Sequence, residues 1–233
     1  MDWPANGWTR LRGMLRLFST SPSRQTMRAD AVRSRTAESL RALQLAVPST
    51  LPTLGEVRIL RTQDDVVRRM MAMHATAASA YGYPRSETLG WLERFNCAAA
   101  LTAGEHGFLA SGAGSPAPFA AQIEGIWALA WVVSVVGEMH PLRPCSEDFV
   151  KLMPDIRVGE SPDSLRASVS LRASAELAGA LDLYYCIDWG IREASLRGRA
   201  ADSRLSPAII TQRRRALEWV ASQEAWEDLV LDT

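Results

Sequence analysis

The most apolar segment of the chain lies near its middle, between Gln122 and Gly137. It reads Gln-Ile-Glu-Gly-Ile-Trp-Ala-Leu-Ala-Trp-Val-Val-Ser-Val-Val-Gly, and its one charged residue is Glu124, near the start. A membrane span needs about 20 apolar residues, so this segment is too short to be one. Its length favours a helix over a buried strand. We therefore predict a helix over residues 122–137 that other elements surround on every side, at the centre of the fold.

Apolar residues recur at helical spacing on both sides of this central segment. Capping residues and prolines mark where several of these helices begin and end. The pattern predicts an all-α fold, a single globular multi-helix domain over residues 31–233, with at most a short extended piece near residues 57–60. The main flanking helices are predicted at residues 36–47, 62–80 and 169–199 and after Ser206-Pro207.

The first 30 residues are interpreted as a basic, partly ordered arm that is separate from the helical domain. No acidic residue lies between Asp2 and Asp30, and leucines interleave with the arginines of this range. Residues 1–28 could therefore form a basic amphipathic helix on an anionic membrane surface. The favoured alternative is an arm that docks on the protein's own acidic surface and that is dispensable for folding.

The charge balance of the chain bears on its partners. Its 26 basic and 26 acidic residues give a formal net charge of zero. A general nucleic-acid-binding protein would be strongly basic, so the composition carries no strong nucleic-acid signal. Lys151 is the only lysine, while arginine and alanine are abundant, a usage associated with GC-rich bacterial genes.

The cysteines and glycines argue against several kinds of site. The three cysteines, Cys97, Cys145 and Cys186, are far apart, which gives neither a disulfide framework nor zinc-binding spacing. A reducing cytoplasm is the simplest setting for them. The Gly-rich stretch 112–120 contains two prolines and has no lysine directly after it, so it does not match a phosphate-binding loop. We therefore predict no metal and no cofactor.

Some charged residues fall where apolar side chains are expected. Glu124 lies at the start of the central helix, and Asp188 lies in an apolar seam of the predicted 169–199 helix. An acid inside an apolar seam needs a partner, which Arg192 could supply from one helical turn away. The run 213–215 is three consecutive arginines, which point in three directions on a helix, so at least one should reach inward.

These positions suggest a buried polar network or binding site between the predicted helices. Its predicted members are Glu124, Asp188, Arg192, Arg215 and Asp232, the last on an acidic C-terminal tail that would fold back. The aromatic residues predicted to flank it are Trp127, Trp131, Tyr185, Trp189 and Trp219. A purely stabilising network is favoured over a catalytic one. The face shared by Glu124, Trp127 and Trp131 is interpreted as core, because aromatic stripes are usually part of a core.

Several separated motifs give the chain a family resemblance. They are Ile123-Glu124, Leu129-Ala130-Trp131, Asp182-Leu183 with Tyr185, Trp189 and Arg192, Arg215-Ala216-Leu217 with Trp219, Trp226-Glu227-Asp228 and the final Asp232-Thr233. In this order they resemble the bacterial family called domain of unknown function 4272, over about residues 30–233. The resemblance implies a mostly helical, soluble domain and implies no activity.

The chain departs from that family's pattern in places where the family tends to have basic groups. The family tends to have Trp-Arg where this chain has Ala121-Gln122, an arginine near Cys186 and a histidine in place of Asp188. If those groups form a functional site in relatives, this chain has altered it.

Three functions are compatible with the sequence. A non-catalytic interaction protein, such as a regulatory or toxin-neutralising partner, ranks first because no complete nucleophile, metal or phosphate motif is present. The second is a hydrolase-like enzyme with Glu124 and Asp188 as paired carboxylates and an arginine that holds an anionic substrate. The third is a membrane-surface or nucleic-acid adaptor that works through the basic arm.

Overall fold

The computed structural model of the protein describes residues 24–231, and within that range it contains helices and no β-strand. The predicted all-α class is therefore confirmed. The α-helices are α1 (Arg24–Ala42), α2 (Gln63–Ala80), α3 (Arg85–Arg94), α4 (Ala103–Ser111), α5 (Ala117–Ala120), α6 (Ile123–Val132), α7 (Asp163–Ser168), α8 (Ser174–Leu196) and α9 (Pro207–Val220). Short 3-10 helices lie at Ala98–Ala100, Phe149–Leu152 and Ile156–Val158.

Helix α6 lies at the centre of the fold, as the apolar pattern predicted. It packs against α2 on one side and α9 on the other, and α9 packs in turn against α8. Helix α1 covers the outer side of α8, while α3 and α4 pack together near α2. Gly125 allows a close approach, since a Cβ atom there would lie 3.0 Å from Met73 Cε.

The central helix is shorter than the predicted 122–137, because it ends at Val132. Ser134 adopts a left-handed backbone with φ of 62°, and its N–H donates to Trp131 O while Val135 N–H donates to Ala130 O. These bonds form a Schellman motif, which closes a helix and turns the chain away. The carbonyl of Val132 accepts a hydrogen bond from Arg172 N at 2.9 Å. The apolar run continues into the core as irregular chain, so its composition did not reveal the end of the helix.

Other boundaries of helices and segments also differ from those predicted from the sequence. Helix α1 begins at Arg24, within the range assigned to the basic arm, and ends at Ala42 rather than near Val47. Residues 57–60 are not paired as a strand, and Leu60 N–H donates instead to Val220 O at 2.9 Å. Residues 1–23 and Asp232 lie outside the described residues, so the predictions for the arm and for that acid remain predictions.

Membrane crossing requires a long, uniformly apolar helix. None of the helices between residues 24 and 231 meets that requirement.

Replacing Leu129 of α6 with alanine tests the central position of this helix. Leu129 is completely buried, so Leu129→Ala should lower the free energy of unfolding by about 2–5 kcal/mol through lost contacts and a residual cavity. The measurement is urea unfolding followed by circular dichroism. Leu196→Ala is the matched control, because Leu196 is 88% exposed and its loss should change stability by less than about 0.5 kcal/mol. Equal effects of the two substitutions would contradict the central placement.

His74 should make the stability of the protein depend on pH. Its Nε2 lies 3.1 Å from Pro154 O in the core, and burial lowers the pKa of this histidine below 6.5. The folded protein therefore binds a proton on His74 less readily than the unfolded chain, and stability is lost as the pH falls below about 6.5. Urea midpoints measured between about pH 7.5 and about pH 5.5 should fall less steeply for His74→Gln than for the natural chain. If the urea midpoints of the natural chain and of His74→Gln changed in parallel with pH, this role of His74 would be contradicted.

Candidate functional site

Arg213 on α9 is completely buried and joins three parts of the structure. Its Nε and one terminal nitrogen donate to Glu124 Oε2 on α6, at 2.8 and 2.6 Å. Its other donors bind the Tyr184 hydroxyl on α8 at 2.9 Å and the carbonyl oxygens of His140 and Arg143 at 2.8 and 2.9 Å. Every N–H of the guanidinium is thereby used, which is what a buried cation requires.

Both carboxylate oxygens of Glu124 accept hydrogen bonds in the same cluster. Its second oxygen, Oε1, accepts a hydrogen bond from Cys145 N at 2.9 Å, and the side chain is almost completely buried. Burial, the largest effect, and the charge of Glu124 raise the pKa of the Cys145 thiol to about 11. This carboxylate therefore serves to hold α6, α9 and the 139–145 segment together.

Asp188 on α8 belongs to a second cluster. Its Oδ2 lies 2.5 Å from a terminal nitrogen of Arg214 and 3.0 Å from one of Arg192. Arg214 also contacts Glu218 at 3.2 Å and lies over the ring of Tyr185, 4.9 Å from its centroid. Burial raises the pKa of Glu218, and Arg214 opposes that shift. Asp188 and Glu124 thus bind different arginines.

Arginines hold the C-terminal segment through its backbone. Arg215 donates to the carbonyl oxygens of Trp226 and Leu229, both at 3.3 Å, and Arg192 donates to Leu231 O at 3.1 Å. Burial lowers the pKa of Arg215, and no carboxylate of the described residues pairs with it. The segment folds back against α8 and α9, and Arg215 binds carbonyl oxygens there rather than Glu124 or Asp188.

The aromatic residues predicted to flank one site lie in separate places. Trp127 packs edge-on against Phe149, and Arg172 lies over Trp131, 4.5 Å from the ring centroid. The other three are spread further: Tyr185 contacts Arg214, Trp189 lines a cavity between α1 and α8, and Trp219 packs edge-on against Trp226. The structure therefore does not gather these aromatic residues around one ligand.

The nucleophiles and metal ligands of the described residues do not form a reactive cluster. Burial raises the pKa of the Cys97 thiol, and it raises that of Cys186 to about 12. Both thiols stay protonated and poorly nucleophilic at neutral pH. Between residues 24 and 231, no group of His, Cys, Asp and Glu side chains is arranged to hold a metal ion.

A surface groove of about 900 Å³ lies between α1, the 54–58 segment and the start of α8. Arg33 of α1 joins this helix to α8 and to the chain just before the 54–58 segment. The Arg33 guanidinium donates to both oxygens of Asp182 on α8, with its closest contact at 2.8 Å. It also donates to the carbonyl oxygens of Leu51 and Pro52 at 2.8 and 2.9 Å. Asp182 is buried and neutralised by this contact.

The groove combines an apolar lining with charged edges. Its apolar lining residues are Ala29, Ala31, Val32, Leu54, Val57, Ala175 and Ala178. Arg28 and Arg35 of α1 stand at its edge, and neither pairs with an acid of the described residues. On the opposite wall Arg58 binds Glu56 at 2.8 Å. The groove therefore carries two positive charges that no acid of its lining neutralises.

The sequence pattern identified only part of these contacts. It indicated that an arginine in 213–215 reaches inward, which the burial of Arg213 and Arg214 confirms. It was wrong in naming Arg215 as the member that meets an acid, since Arg213 meets Glu124 and Arg214 meets Asp188. Neighbouring helical positions differ only in direction, which the pattern does not resolve. Arg33 and Asp182 were missed altogether as a pair, since 149 positions separate them along the chain.

Comparison with known proteins identifies the family. A family model described as "Domain of unknown function (DUF4272)" matches residues 32–229. The chain belongs to this family. No curated protein and no solved structure matches it. The DUF4272 match begins within α1 and reaches the C-terminal segment, so it contains both ion-pair clusters and most of the groove. Asp188, within the matched range, binds two arginines.

Removing Arg213 should leave Glu124 buried without a counter-charge. We expect Arg213→Met to lower the free energy of unfolding by about 3–5 kcal/mol. Arg197→Met is the control, because Arg197 is exposed and its contact with Glu193 should contribute less than about 1 kcal/mol. Chemical unfolding of both variants gives the comparison. A loss for Arg213→Met no larger than that of the control would show that the buried pair does not organise the core.

Proposed function

We propose that this DUF4272 chain is a non-catalytic protein-binding domain, with a regulatory role, and that the groove beside α1 is its docking surface. The observation that carries the proposal is the groove itself, which joins an apolar lining to two arginines that no described acid neutralises. Contiguous apolar surface with a charged edge is typical of protein-interaction sites.

The state of the buried carboxylates supports a binding role over a catalytic one. A general acid or base must come within hydrogen-bonding reach of its substrate. Both oxygens of Glu124 are engaged by protein donors, and Asp188 is bound by Arg192 and Arg214. Paired-carboxylate hydrolysis at these residues would require several of those contacts to break.

The composition supports a bacterial cytoplasm as the setting. The use of arginine and alanine is that of GC-rich bacterial genes, and the thiols are protonated rather than paired. A reducing compartment suits three unpaired cysteines.

Blocking the groove tests this function. Ala31 is exposed on α1 and lines the groove, so Ala31→Trp should fill the groove without disturbing the core. Tagged natural and variant proteins are incubated with extract of the source cells, and captured proteins are quantified by mass spectrometry. We expect the natural chain to capture at least one protein whose recovery is about tenfold or more lower with Ala31→Trp, since a bulky indole excludes a docked side chain.

Ala110→Trp is the matched control, because Ala110 is also an exposed alanine on a helix and lies away from the groove. Recovery of the same partner should be unchanged in this variant. If no captured protein distinguishes Ala31→Trp from both the natural chain and the control, the groove is not a protein-docking surface.

A further inference from the structure

We infer that the groove binds an acidic amphipathic helix of a partner protein. This inference rests on the proposed function and specifies the chemistry of the partner. Three features of the groove carry it: its residual charge, the helical nature of its walls and the spacing of its two unpaired arginines.

The residual charge of the groove is positive. Of its acids, Asp182 is neutralised by Arg33, and Glu56 is bound by Arg58. Arg28 and Arg35 are left, both exposed on α1 and without a described acid as partner. Opposite charges at an interface favour association and exclude like-charged partners. The occupant should therefore present acids along the α1 side of the groove.

The walls of the groove favour a helix over an extended peptide. Extended peptides commonly add to an exposed sheet edge, and the described residues contain no strand. Here α1 and the start of α8 flank the opening, and Ala31, Ala175 and Ala178 line it with small side chains. Small residues between two helices leave room for the leucine or phenylalanine side chains of a third helix.

The two arginines set a spacing for the partner's acids. Arg28 and Arg35 are seven positions apart on α1, which is two helical turns and about 10.5 Å along the axis. A roughly aligned partner helix meets both if its acids are also seven positions apart. If these acids are at positions i and i+7 of the partner helix, its apolar residues at i+3 and i+4 lie on the same face and would enter the groove.

The chain's own basic segment does not have this chemistry. Residues 1–23 contain Arg10, Arg12 and Arg16, with Asp2 as the one acid. Such a segment would bring like charges against Arg28 and Arg35. Charge therefore favours a partner of the opposite sign as the occupant of the groove.

A pair of synthetic peptides tests the inference directly. Both have the same leucine face at helical spacing, and one carries glutamates seven positions apart on its edge where the other carries lysines. Binding to the full chain is followed by fluorescence anisotropy of labelled peptide. We expect the acidic peptide to bind about tenfold or more tightly than the basic one, and its affinity to fall as salt rises from about 0.05 M to about 0.5 M.

A charge reversal in the groove should invert this preference. Arg28→Glu combined with Arg35→Glu should weaken binding of the acidic peptide and strengthen binding of the basic one. The matched control is Arg41→Glu combined with Arg199→Glu, which makes the same change in net charge at two exposed arginines outside the groove. The control should keep the preference of the natural chain. Circular dichroism verifies that both double variants are folded.

The outcomes separate this inference from the proposed function. The inference that the partner is an acidic helix is overturned if the two peptides bind equally. It is also overturned if Arg28→Glu combined with Arg35→Glu leaves the preference between them unchanged. Groove-dependent binding to anionic lipid vesicles without binding to the acidic peptide also overturns it. If Ala31→Trp still abolishes capture of a protein partner, the docking function stands and only the partner's chemistry is wrong.

Discussion

The buried contact between Arg213 and Glu124 is the interaction on which the rest of the structure depends. A guanidinium and a carboxylate removed from water each lose several kcal/mol of hydration, so neither can stay in the core without full compensation. That compensation comes from α6, α8, α9 and the carbonyl oxygens of the 139–145 segment. These elements must meet in one register, because any other arrangement leaves part of the charge unpaired.

Buried arginine–carboxylate pairs also join other distant segments of this protein. Arg69 forms a bidentate ion pair with buried Glu105, Arg214 pairs with Asp188, and Arg33 pairs with Asp182. Arginine suits this task better than lysine, because its planar group offers several donors in fixed directions and can bind a carboxylate and backbone carbonyls at once. The buried acids Glu105, Glu124, Asp182 and Asp188 therefore help to hold distant segments together.

The groove is a consequence of this architecture. Arg33 fixes α1, the chain near Leu51 and α8 relative to one another, which keeps the groove open between them. Its lining is assembled from small and apolar residues, some of which also pack against the core. Arg28 and Arg35 of α1, which pair with no acid of the described residues, are at its edge. In the proposed docking role, an opening that is already formed would limit the entropy lost on binding.

The sequence by itself determined the helical class, the burial of the central segment and the inward reach of an arginine within 213–215. These follow from local periodicity and from the cost of exposing apolar surface, both of which a linear pattern records. Only the tertiary structure decided that Arg213 meets Glu124, that α6 ends at Val132 and that Arg33 meets Asp182. The two ion pairs, and the hydrogen bond from Arg172 N to the carbonyl of Val132 at the end of α6, depend on which distant donors and acceptors come together once the helices pack. A local pattern carries no record of those long-range distances.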